Sequence, residues 1–88
     1  MKIDQKLEEG IAFHQANLLH QAEQVYQEIL QVLPQHADAL HLLGVIAYQE
    51  KEHQIAANLI TQAIKIDSTQ YSFFNNLGLV LKEQEKLD

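Results

Sequence analysis

Apolar residues recur along this chain at three- and four-residue steps, as in Tyr26, Ile29, Leu30 and Leu33, and again in Leu40, Leu43 and Ala47. That spacing places them on one face of a helix with period 3.6. The pattern predicts five helices, near residues 4–15, 20–32, 38–49, 54–66 and 71–86. Polar turns are expected at Asn17, at Lys51-Glu52 and at Ser68-Thr69. Pro34 should stop the helix before it, because proline lacks the backbone N–H and its ring clashes with the preceding turn.

A longer period overlies the helical one. The three glycines, Gly10, Gly44 and Gly78, stand 34 residues apart. An alanine follows each of the first two at the same distance (Ala22, Ala56), and a large apolar residue follows four positions later (Tyr26, Ile60). Ile29 and Ala63, then Leu30 and Ile64, keep the register, and a helix breaker closes each unit at Pro34 and at Asp67-Ser68. Before the glycines stand Lys6-x-x-Glu9, Leu40-x-x-Leu43 and Phe74-x-x-Leu77. A glycine inside a helix costs about 1 kcal/mol relative to alanine, so its regular recurrence needs a reason. Close approach of a paired helix supplies one: with no side chain at Gly44, the segment around Ala56 can lie against its backbone. The expected packing residues are Gly10, Ala22, Tyr26 and Pro34 in the first unit, with Leu40, Leu43, Gly44, Ala56, Ile60 and Ala63 in the second. Phe74, Leu77 and Gly78 continue the series.

This period and these positions resemble the tetratricopeptide repeat (TPR). The resemblance covers nearly the whole chain and implies an all-α fold, a superhelix of antiparallel helical hairpins stacked into a short right-handed solenoid. On that alignment residues 1–88 form one domain, with whole repeats at 3–36 and 37–70 and the first part of a third at 71–88. Lys6 and Glu9 replace two apolar positions of the first unit, as a solvent-facing terminal helix would.

Composition narrows the chemistry. Six lysines, no arginine and twelve acidic residues give a formal charge of −6. Nucleic-acid backbones and anionic membranes are held by Lys/Arg clusters, so neither is an expected partner. Without cysteine there is no disulfide framework, thiolate metal site or thiol nucleophile. No apolar stretch approaches the ~20 residues of a membrane-spanning helix, and the first residues lack a signal-peptide core. A cytoplasmic location is the expectation. The histidines at 14, 20, 36, 41 and 53 are never three or four apart, so no helix face offers a metal-binding pair. Ser68 has no base placed to activate it, and Glu8-Glu9 lie on an exposed turn where nothing separates their pKa values. No enzymatic activity, metal or cofactor is expected.

Binding is the remaining route. In the family the first helix of each hairpin lines the concave side, which implies a peptide-binding face here. The second unit would contribute Asp38, His41, Leu42, Val45, Tyr48 and Gln49, with His14 from the first. The third would add Ser72, Asn75, Asn76, Leu79 and Lys82. The lysine/asparagine/arginine clamp that some relatives use for acidic C-termini is not reproduced, because Leu7, Ile11, Leu42, Ser72 and Asn76 occupy its positions. The runs 39–47 and 74–78 are similar to repeat arms of bacterial multidomain transferases, although Asn76 alone falls on their inward asparagine ladder. Three readings therefore stand: a scaffold for a protein or peptide, a substrate-recruiting transferase arm, and a self-association module. The third draws on Phe73, Phe74, Leu77 and Leu81 of the last helix, whose apolar stripe has no partner helix in the sequence, so that a homo-oligomer would form through it.

Overall fold

The computed structural model describes residues 2–87. Five helices follow one another, α1 Ile3–Gln15, α2 Leu19–Val32, α3 Ala37–Gln49, α4 His53–Ile66 and α5 Tyr71–Leu87. The first four begin one residue earlier than the periodicity suggested. All regular structure among the described residues is helical, arranged as antiparallel hairpins α1/α2 and α3/α4 with α5 laid against the second hairpin. This is the expected all-α stack, 41 × 27 × 19 Å overall.

The turns inside the two hairpins are copies of each other. Asn17 and Lys51, 34 residues apart, both adopt the left-handed region, with φ of 62° and 65°. Around Asn17 the Leu18 N–H donates to the Phe13 carbonyl (2.9 Å) and the Asn17 N–H to the His14 carbonyl (3.0 Å). Around Lys51 the Glu52 N–H donates to Ala47 (2.8 Å) and the Lys51 N–H to Tyr48 (3.0 Å). These bonds satisfy carbonyls that a helix C-terminus leaves free, and asparagine tolerates the left-handed conformation better than lysine does. The connections between hairpins are built differently. His36 caps α3 by accepting the Ala39 N–H on Nδ1 (3.1 Å). Asp67 accepts the Thr69 N–H (3.0 Å), the Thr69 hydroxyl (2.5 Å) and the Gln70 amide (3.1 Å). These bonds, the Thr69 hydroxyl foremost, hold the Asp67 carboxyl below its usual range.

The glycines show how the hairpins close. A methyl group on Gly10 would lie 2.6 Å from a ring carbon of Tyr26, and one on Gly44 2.8 Å from Ile60 and 3.3 Å from the Ala56 carbonyl oxygen. Both positions are buried, so each hairpin closes on a contact that only glycine permits. Ala22, Tyr26, Ala56, Ile60 and Ala63 are fully buried beside them, with Leu40 nearly so and Leu43 and Leu77 packed at the margins. Lys6 of α1 pairs with Glu28 of α2 at 2.8 Å.

Three of the expected packing positions are corrected. Among the described residues nothing lies within 4 Å of a methyl placed on Gly78, because none of their helices faces that side of α5. Phe74 is 49% exposed for the same reason. Pro34 is exposed in its turn, so it ends α2 without packing.

Candidate interaction surface

The face proposed for binding runs across α1, α3 and α5, and two histidines tie these helices together. His14 of α1 donates from Nε2 to the side-chain oxygen of Gln49 on α3 at 2.7 Å. Its Nδ1 faces the Tyr26 hydroxyl, which donates at 3.3 Å. Burial pushes the Tyr26 phenol up to about 12, so it is a neutral donor at any physiological pH. His41 of α3 accepts on Nε2 from the Asn76 amide of α5 at 2.8 Å. Its ring also stacks on Phe73, with centroids 4.4 Å apart and planes at 30°. Burial lowers the His41 pKa from its ordinary 6.5, and the nearby Asp38 carboxylate opposes that shift in part. The neutral ring, with its proton on Nδ1, is the form that accepts from Asn76.

The expected binding residues accordingly divide. Asp38, Gln49, Ser72, Asn75, Leu79 and Lys82 are exposed on this side. Val45 is half-buried. Leu42 packs onto the cluster of Ala22, Tyr26 and Ile46, and Tyr48 onto the cluster around Ile60 and Phe73, so both serve the core as well as the surface. Tyr48 also meets His53 edge-on at 5.8 Å, beside a recess of about 390 Å³ that Gln49, Lys51 and Glu83 complete. His41 is only 7% exposed and is a structural link where a groove contact was expected. His14 and Asn76, half-buried, are likewise engaged in bridges between helices. A desolvated histidine needs a partner, and the next first helix provides one.

The self-association residues divide as well. Phe73 is 1% exposed and packed inward beneath His41, which removes it from any outer surface. Leu77 is turned mostly into the second hairpin. Phe74 and Leu81 remain 49% and 46% exposed on the outer side of α5, flanking Gly78.

Sequence reasoning missed both bridges. Each spans 35 residues, His14 to Gln49 and His41 to Asn76, one more than the repeat, so aligning equivalent positions does not pair them. A search for histidine and amide at that offset would have found them.

Stacked helical hairpins closed on recurrent glycine contacts define a helical-repeat protein. No family model matches the chain. Over 66 residues, 75% of its length, it is 29% identical to tetratricopeptide repeat protein 7B of Homo sapiens. It is also 29% identical over 59 residues to the protein of that name from Mus musculus. The chain spans less than a tenth of these relatives' length. The crystal structure of MamA superposes with a TM-score of 0.86 over 96% of this chain and 49% of its own, at 20% identity. The chain is thus similar to tetratricopeptide repeat proteins and is folded as a short helical solenoid.

Proposed function

We propose that this chain is a non-enzymatic protein-interaction scaffold that holds a peptide segment of a partner along α1, α3 and α5. Its repeats are read as 3–36 and 37–70, with the part of 71–88 up to residue 87 as the start of a third; Asp88 lies outside the described residues. The observation that supports the reading most is the strip on α5. There Leu79, 45% exposed, lies on one helix face with exposed Ser72, Asn75 and Lys82. Apolar area for anchoring side chains thus adjoins donors and acceptors for a peptide backbone. The His14–Gln49 and His41–Asn76 bridges hold the helices at fixed spacing, which limits the ordering cost of binding. Peptides selected from a displayed random library on the wild-type chain test this by calorimetry. Val45→Glu with Leu79→Glu should abolish their binding while the melting temperature holds. Retention of the selected peptides by that variant rejects this face.

A second reading, self-association, is favoured by the outer side of α5. Phe74 and Leu81 flank Gly78, whose bare backbone would let a second helix approach closely, as Gly44 does inside the second hairpin. A closed dimer would set two copies of this stripe against each other. Sedimentation velocity from low to high concentration checks it, with Phe74→Glu expected to leave only monomer. A monomer throughout for the wild type ends this reading. No helix among the described residues is long and apolar enough to cross a membrane.

A further inference from the structure

A groove lies on the side of α3 away from the face just described. Residues 43, 46 and 47 fall on one side of the helix and 41, 45 and 49 on the other, by the 3.6-residue period. Leu43 and the buried Ile46 line the groove together with Leu59 and Ile55 of α4, and the open volume is about 250 Å³. Ile55 is 50% exposed. A cavity of about 150 Å³ lined by aliphatic side chains is enough to hold benzene. The groove therefore has room for one branched aliphatic or methionine side chain.

Its charge is one-sided. Glu23 of α2 and Glu50 and Glu52 of the α3–α4 turn line it, and no lysine does. Among the described residues none of the three forms an ion pair. Glu23 accepts only a long bond from Gln27, at 3.4 Å. These carboxylates do not converge on a point, since no three histidine, aspartate or glutamate side chains among the described residues gather as a metal would require. Charges spread along a slot with an apolar floor match cationic side chains spaced along a chain better than a single ion. A second copy of this protein, at −6, carries the wrong sign.

We propose that this groove is a second docking site, which takes a basic segment of a partner protein with an aliphatic side chain in the slot and a lysine or arginine on either side of it. The aliphatic anchor supplies burial against Leu43 and Leu59. The flanking cations meet Glu23 across one wall and Glu50 and Glu52 at the turn. The site is independent of the α1–α3–α5 face, so one scaffold could hold two partners, or two segments of one, on opposite sides of α3.

The test is a titration of the ¹⁵N-labelled chain with a soluble nonapeptide in which one leucine sits between two lysines in a glycine-serine background. Saturable amide shifts are expected at Glu23, Ile55 and Leu59. They should vanish when glutamates replace the lysines and weaken when alanine replaces the leucine. The variant Glu23→Gln/Glu50→Gln/Glu52→Gln should keep its melting temperature and bind about tenfold more weakly, a loss of three rim charges at about 0.5 kcal/mol each. Val45→Glu/Leu79→Glu should leave this binding unchanged, which separates its failure from failure of the first face. Shifts centred on Val45 and Leu79, an equal response to the glutamate peptide, or undiminished binding by the triple variant overturns the proposal. So do the same shifts produced by calcium chloride alone, which would assign the rim to an ion. Concentration-dependent shifts of these amides without peptide would assign the groove to a second copy and overturn it too.

Discussion

Gly44 and Gly78 occupy the same register in their helices, yet one is sealed and the other bare. Against Gly44 lie Ile60 and the Ala56 carbonyl; against Gly78 no described residue lies within 4 Å. The residues around them differ in step. Leu40 is 6% exposed and Ala47 6%, whereas their counterparts Phe74 and Leu81 are 49% and 46% exposed. An adjacent side of each helix, about 100° around its axis, shows no such difference. Ala39 and Ile46 are buried against the first hairpin, and their counterparts Phe73 and Val80 are equally buried against the second. A first helix in this stack therefore has two independent obligations, one to the hairpin before it and one to its own partner. Among the described residues α5 meets only the first. The outer side of α1, by contrast, carries exposed Gln5, Glu9 and Ala12, a surface already suited to water.

Substitutions that treat the two registers alike should separate them most sharply. Gly44→Leu forces a branched side chain into a space where even a methyl stands 2.8 Å from Ile60, and overpacking on that scale should unfold the chain. Gly78→Leu should fold with its helical circular dichroism intact. Equal behaviour of the two variants would dissolve the distinction. Next in size, Phe73→Ala should cost about 3–5 kcal/mol, the usual range for a buried phenylalanine. Phe74→Ala should stay within about 1 kcal/mol, and urea melts of the two measure the difference.

The inner side of α5 should also respond to pH. The unfolded chain protonates His41 near 6.5, and the folded chain does so only at lower pH because the ring is buried. Proton uptake thus favours unfolding. The stability this site contributes is complete above pH 6.5 and is lost as pH falls through and below that value. Thermal melts between pH 7.5 and 5 should show the decline, and His41→Gln should flatten it; an equal slope in that variant would place the titration elsewhere. The smallest effect is a gain. Gly78→Ala should stabilise the chain by roughly 0.5–1 kcal/mol, since alanine is the better helix former and no neighbour obstructs the new methyl. The same change at Gly44 should destabilise it, because Ile60 and the Ala56 carbonyl must move.

The helices were legible in the sequence because their apolar periodicity and their turn residues act locally. Asn17 and Lys51 sit where the chain must reverse, and the glycine-alanine register marks which helices must touch. The candidate surfaces were less legible. Phe73 and Phe74 are adjacent and chemically identical, and only the position of the preceding hairpin makes one core and the other surface. His41 reads as a groove residue until Phe73 and Asn76 close around it. The groove walled by Glu23 and Glu52 joins residues from different hairpins whose spacing matches no repeat position.

By itself, then, the sequence determined an all-α stack of helical hairpins, because helix period, turn chemistry and the glycine contacts depend on residues within one hairpin. The tertiary structure decided which side of each helix is covered, which histidines are bridges and which acidic residues share a groove. Those outcomes depend on the distance and angle between successive hairpins, and that geometry is set by side-chain packing across the junctions, summed over residues far apart in the chain.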